Sequence, residues 1–359
     1  GMKNSMNNFE RWIYQKTFGA QDRIELYDEF RQYLLDGLTA EVTFTKLIDN
    51  YTRRGSNPNN PIGKILNECL QNLKAGFSLA ESLREWIPDQ ELSIIESCDS
   101  AGRVADGFLN AMFIAEGTDK ILRSVRSTSL IVSYMFALSF GIVVMFCILL
   151  VPVLRQSVPL EKWNMVQLSI WYFYVFVTEY WYLIISVSAV SIYVVYKSFA
   201  NWTGNIRFMF DRIPPYSIYR RLSGATFIMN VNAMLSAGIP METAIKNMVS
   251  SCESPWLLER LEATLNAIED GEENLGTALD VTGYEFPGDA AIIKMKSLFE
   301  SSNKEGSLKR FAGKWLDKTI AAVETSGEVL KTIGYFACAG SIMLLILIMS
   351  DLIQQAFFK

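Results

Sequence analysis

Three stretches of the chain are almost free of charge, and the rest mixes apolar and polar residues at helical spacing. No Asp, Glu, Lys or Arg occurs from Ser127 to Leu154. About 20 apolar residues are enough to cross a bilayer core, so a transmembrane helix is predicted over 127–154. A second apolar stretch lies between Lys162 and Lys197, interrupted only by Glu179, and predicts a span over 169–196. A third runs from Thr332 to Ser350 and meets Asp351, which predicts a span and short tail within 332–359. Elsewhere Val231, Met234 and Leu235, then Ile245, Met248 and Val249, fall at i, i+3, i+4, as do Leu258, Leu261, Leu265 and Ile268. Strand-type alternation and Asn-Gly turns are missing. The predicted fold is therefore all-α: a helical-bundle domain over 1–126, a span, a loop over 155–168, a span, a second helical-bundle domain over 197–331, and the last span.

The polar regions echo each other. LLDGLT (34–39) and LSAGIP (235–240) each end an apolar helix on a glycine, Gly37 and Gly238, a residue that takes the left-handed conformation closing a helix. Thr39 is a good N-cap for the next helix, and Pro240 fits a first turn. KAGFSLAESL (74–83) is matched by EDGEENLGTAL (269–279), with Gly76 and Gly271 at the stops and Ser78–Glu81 at capping-box spacing. REWIP (84–88) parallels YEFP (284–287), and DSAGRV (99–104) parallels NKEGSL (303–308), with Gly102 and Gly306 at the joints. Four landmarks recur in one order, roughly 200 positions apart, which is the signature of a duplicated unit. Each copy is expected to be a compact antiparallel bundle of about six helices.

Charge sets an orientation. Lys120, Arg123 and Arg126 precede the first span, Lys197, Arg207, Arg212, Arg220 and Arg221 follow the second, and Lys309, Arg310, Lys314, Lys318 and Lys331 precede the third. The 155–168 loop holds only Arg155 and Lys162, and the tail only Lys359. By the positive-inside bias both helical domains are expected in the cytoplasm, with the loop and C-terminus outside. Trp163, Trp171, Tyr172 and Tyr174 sit where interfacial aromatics belong. The stretch KNSMNNFERWIYQK has no apolar run, so no cleavable secretory signal is expected there.

Composition narrows the chemistry. A mean hydropathy of +0.17 beside 20% charged residues fits polar domains joined to membrane spans. The net charge of −5 argues against a nucleic-acid binder, which would show a basic face. There is no histidine, which removes the commonest general base and metal ligand. The five cysteines, at 69, 98, 147, 252 and 338, show no CxxC spacing and read as reduced structural thiols. Neither a P-loop nor a G-x-S-x-G elbow occurs. No cofactor and no enzymatic activity are expected.

The order of module, span, span, module, span resembles the type II secretion F / type IV pilus inner-membrane platform family (GspF/PilC). The joints carry the resemblance: Leu235–Pro240 looks like the family's L-x-x-G-[IV]-P, Gly76–Leu83 and less closely Gly271–Leu279 look like its G-x-[ST]-L-x-x-[AS]-L, and Asp99–Val104 with Asn303–Leu308 look like its acidic E-x-[SA]-G-x-L. The likeness extends from about residue 20 to the third span. The short stretch ahead of the first module tilts it towards type IVb or conjugative-pilus systems. The resemblance implies a non-enzymatic bacterial inner-membrane platform that engages a hexameric cytoplasmic ATPase and hands pilins or pseudopilins to a growing fibre. It also implies contact with inner-membrane accessory assembly proteins and lipid, and by analogy a homodimer. Members of the family have been associated with divalent cations at acidic joints. Here Asp99 and Glu305 are the candidate positions, and the neutral Asn303 argues against carrying the site over.

Two further acids stand out. Glu179 within the second stretch reads either as a pilin contact or as an acid near the outer interface, and Asp351 as a pilin contact or a headgroup-level residue. A transporter or channel component is the alternative reading that Glu179 raises. Three spans with no inverted repeat make a poor carrier.

Overall fold

A computed structural model describes residues 6–301 and 304–358, apart from the side chains of residues 304 and 305. Among the described residues all regular structure is helical. The first module is built from α1 (Asn8–Thr17), α2 (Ala20–Leu35), α3 (Ala40–Tyr51), α4 (Pro61–Lys74), α5 (Leu79–Leu83) and α6 (Asp89–Ser100), and leads into the long α7 (Val104–Ser157). A 3-10 turn (Leu160–Lys162), α8 (Met165–Glu179) and α9 (Trp181–Asn201) follow. The second module repeats the order with α10 (Asn205–Phe210), α11 (Tyr216–Ser236), α12 (Met241–Ser251), α13 (Pro255–Glu269), α14 (Leu275–Val281) and α15 (Asp289–Glu300). It leads into the long α16 (Lys304–Ile348) and the terminal α17 (Ser350–Phe357). The two series correspond helix for helix.

The glycine joints explain the recurrence. Gly37, Gly76, Gly102, Gly238 and Gly271 all have positive φ, between 74° and 115°. At each, the glycine N–H reaches back three residues and the next N–H reaches back five, as in Gly238 N to Leu235 O (3.0 Å) and Ile239 N to Met234 O (3.0 Å). That double bond satisfies carbonyls a helix end would otherwise leave open. Gly306 differs. It lies inside α16 as its third residue, so the chain has entered the helix before the glycine, and the expected joint at that position is not a stop. Asn303 lies outside the described residues.

Local capping also departs from the sequence reading in detail. Thr39 caps α3 by accepting from Val42 N–H. Pro240 is the N-cap of α12 itself, with φ −59° and ψ 147°, rather than a first-turn residue. Ser78 accepts from Glu81 N–H, but the Glu81 carboxylate turns to Arg84 instead of completing the reciprocal bond.

Contacts divide the chain into two units, 1–122 with 200–319, and 123–199 with 320–359. The first contains both modules around one continuous apolar core. In the first copy Phe30 packs on Phe44 and Phe108 with ring centres 4.9 and 4.7 Å apart, and in the second Phe286 packs on Phe227 and Trp256 at 5.2 and 5.9 Å. Aromatic clusters of this kind add to the burial of their own area.

In the second unit α7 and α16 run side by side. A β-carbon at Gly327 would meet Thr128 Cγ2 at 2.3 Å, and the Tyr335 hydroxyl lies 3.0 Å from Met135 Sδ. Their far ends close around Cys147, Val151, Leu154, Trp163, Met349 and Leu352. Gln167 Nε2 donates to Ile348 O at 3.0 Å, satisfying a carbonyl at the α16–α17 break. Among the described residues three helices are long and apolar enough to cross a membrane: α7, α9 and the region of α16 from Gly306. The second apolar stretch is not one rod, because Tyr180 (φ −116°, ψ 24°) separates α8 from α9. The 21 residues of α9 extend about 31 Å at 1.5 Å per residue, sufficient for a crossing without α8.

Candidate functional site

The two copies meet joint to joint. Arg103, the residue after Gly102, sends its guanidinium across to the second copy, where Nη1 donates to Ala237 O at 2.8 Å. Ala237 is the C-cap of α11, so a fixed cation sits on the carbonyl end of that helix, where the helix dipole favours it. The side chain lies directly over Gly238: a β-carbon there would stand 2.4 Å from Arg103 Nη1. Gly238 thus serves twice, as the positive-φ helix stop and as the clearance for Arg103. Further along, Asn247 Nδ2 on α12 donates to Ser97 Oγ on α6 at 2.5 Å.

Beside this junction α6 and α12 enclose a groove of about 730 Å³. Asp89, Glu96 and Glu253 line it with Arg84, Ser93, Ser97 and Asn247. Polar and apolar residues share the lining, and its charge is net acidic, which suits a basic polypeptide surface better than a small apolar ligand. Cys252 lies at its edge, and burial pushes its thiol up; burial also pushes the Cys98 thiol up, to about 11. These are protonated thiols at neutral pH, without the depressed pKa of a nucleophile.

The Arg103 bridge is expected to be worth about 1 kcal/mol, as a partly exposed charged hydrogen bond to a carbonyl. Arg103→Ala should therefore speed amide exchange at Gly238 and Ile239 by roughly fivefold in the full-length protein. Unchanged exchange there would show that the modules are held by the core alone.

Charge is handled differently inside each copy. In the first, Arg23 forks onto Glu91 (2.9 and 3.2 Å) and Tyr27 donates to the same carboxylate at 2.8 Å. Glu91 is buried, and that burial raises its pKa against the opposing pull of Arg23. In the second, Asp211 is shared by Arg207 (Nε to Oδ1, 2.8 Å), Arg260 (Nη2 to Oδ2, 2.8 Å) and Trp256 Nε1 (3.2 Å). Arg207 also lies over the rings of Tyr216 and Trp256, at 4.6 and 5.2 Å. Arg207 was expected to serve topology with Arg212, Arg220 and Arg221, but it is wholly buried. The spacing Arg207-x-x-x-Asp211 was the available signal, an i, i+4 pair on one helix face.

The remaining sequence candidates do not converge. Asp99 is exposed near the end of α6, its carbonyl accepting from Gly102 N–H at 3.0 Å. The Glu305 side chain lies outside the described residues. Among the described residues, no group of three or more His, Cys, Asp or Glu is arranged to hold a metal. Glu179 is the last residue of α8, exposed, at the break before α9. Asp351 is exposed in the first turn of α17. Arg103 and the groove acids were not singled out by the sequence reading, although Arg103 lies inside a quoted joint.

A duplicated helical module carried on three membrane-crossing helices defines an all-α membrane scaffold. The description Type II secretion system (T2SS), protein F matches residues 227–350, from within α11 to the end of the third span. Toxin coregulated pilus biosynthesis protein E of Vibrio cholerae serotype O1 is 22% identical over 269 residues, covering 74% of this chain and 78% of that protein. Both bear out the resemblance to the type II secretion F / type IV pilus platform family read from the joints.

Proposed function

We propose that this protein is the inner-membrane platform of a type IV pilus or type II secretion machine and couples a hexameric cytoplasmic ATPase to the transfer of pilin subunits into a fibre. The observation that carries this reading is the continuity of α7 and α16, which leave the two modules and enter the membrane unbroken over 54 and 45 residues. A push or rotation applied to a module travels along a helix far more directly than through a flexible linker. The joint at Arg103 and Gly238 ties the copies together, so a force on one is shared by the other. Both modules would face the cytoplasm, with the C-terminus outside, in keeping with the lysine and arginine bias. Residues 181–194 of α9 are exposed apart from the half-buried Ile184, which leaves that stretch for a pilin, an accessory protein or a second copy.

The test mixes the full-length protein in detergent with the hexameric ATPase of its own pilus or secretion system and records binding and ATP turnover. Binding with altered turnover is expected, and Glu96→Lys in the acidic groove should weaken it. A folded protein that neither binds nor changes turnover would remove the coupling role.

A further inference from the structure

The short helix α10 is inside out. Arg207 and Asp211 point into the module at 0% and 1% exposure, whereas Ile206, Met209 and Ile213 stand 63%, 69% and 53% exposed. A helix facing water shows the reverse pattern. Its rotation is held by the buried ion pair, by Arg207 Nη1 donating to Trp202 O at 3.1 Å, and by Asp211 accepting from Trp256 and Arg260. The apolar face therefore cannot roll inward without unburying two charges.

Chain connection then limits where that face can be. The membrane helix α9 ends at Asn201 and α10 starts at Asn205, a reach of at most about 14 Å. The headgroup layer is itself several ångströms thick, so α10 starts within chain reach of it. Arg212, beside Ile213, is 61% exposed and reaches Glu285 at 3.2 Å, and Arg221 is exposed on the same module. Basic residues flanking an outward apolar face match an anionic membrane surface.

We propose that the segment Asn205–Ile213 is a membrane-seated foot. Ile206, Met209 and Ile213 enter the boundary between headgroups and acyl chains in the leaflet where α9 ends, and Arg212 lies at phosphate level. The proposal requires that α9 crosses the membrane and is independent of any ATPase or pilin. The first module shows a related arrangement in α1, with Arg11 paired to Glu68 and Glu85 while Phe9 and Trp12 stand exposed. α1 is not joined directly to any of the three spans, so the proposal is confined to α10.

The experiment places a genetically encoded photo-crosslinking residue at Met209, at Ile206, or at the exposed Ser56 of the first module, in full-length protein. Each protein is reconstituted into nanodiscs of phosphatidylcholine with or without phosphatidylglycerol, and its folding is checked by circular dichroism. Lipid adducts at 209 and 206 should exceed those at 56 by at least about threefold, and more so with the anionic lipid, as for an interfacial helix. Adduct levels equal to the Ser56 control in folded protein would overturn the proposal. So would crosslinks from 209 that go only to a second copy.

Discussion

Asp211→Ala should destabilise the second module by about 3–5 kcal/mol, the usual cost of removing one partner from a buried ion cluster. The carboxylate accepts from three donors at once, on Arg207, Arg260 and Trp256, and it is 1% exposed. Without it two guanidiniums share a pocket from which water is excluded. Burial already lowers the Arg260 pKa, against the opposing pull of Asp211, so the variant leaves the desolvation and removes its main compensation. The aromatic rings around Arg207 and Arg260 offset a small part of the loss. Asp211→Asn, which keeps an acceptor but loses the charge, should fall between the two. Glu285→Ala is the control: its partners Arg212 and Arg220 bind it near the surface at 3.2 and 3.6 Å, and exposed pairs contribute less than about 1 kcal/mol. Denaturant unfolding of the full-length protein in mild detergent, followed by tryptophan emission, reads the difference. Equal midpoints for Asp211→Ala and Glu285→Ala would show that water reaches the cluster.

Much of the architecture was legible because it is written in local signals. Glycine at 37, 76, 102, 238 and 271 marks left-handed helix stops, and each forms the double hydrogen bond that such a stop requires. Long uncharged runs mark the membrane helices. Where the reading departed from the structure, the cause lies between elements. Tyr180 breaks the second apolar stretch without a glycine or proline to announce it, among the rings of Phe176 and Tyr182 at 6.1 and 6.4 Å. Gly306 shares its motif with Gly102 but sits in α16, so a motif alone did not specify the turn. Arg207 looked like one of several topology-setting cations. Only the packing of α10 on α13 shows that it is buried, and only exposure shows that its neighbours face outward. The junction at Arg103 was hidden for the same reason, since its partner carbonyl is 134 residues away.

The two copies also supply a prediction that their alignment would get wrong. Leu79–Ala80 of the first copy corresponds to Leu275–Gly276 of the second, and Ala80 is buried at 1% exposure. By analogy Gly276→Ala looks harmless, and by helix propensity even favourable. The structure opposes this. A β-carbon at Gly276 would lie 2.4 Å from the backbone N of Lys296 and 2.7 Å from its Cα. Those atoms belong to α15 and cannot rotate away. Asn274 binds both sides of the contact, accepting from Gly276 N–H at 2.8 Å and donating to Lys296 O at 3.1 Å, so α14 and α15 must separate as a pair and lose that bridge. Overpacking of this kind costs about 1–3 kcal/mol, and more when the obstacle is backbone, so Gly276→Ala should lose about 3 kcal/mol. Gly271→Ala makes the sharpest comparison. Its φ is +115°, but no atom lies within 4 Å of its added carbon, so backbone strain alone sets its cost at about 1 kcal/mol. A positive-φ glycine, the kind a sequence reader marks first, should therefore be the milder site, and the unremarked helical glycine the severe one. Unfolding midpoints of the two variants in the full-length protein test the order. A larger loss at Gly271 would mean that α14 and α15 yield more readily than their capped contact implies.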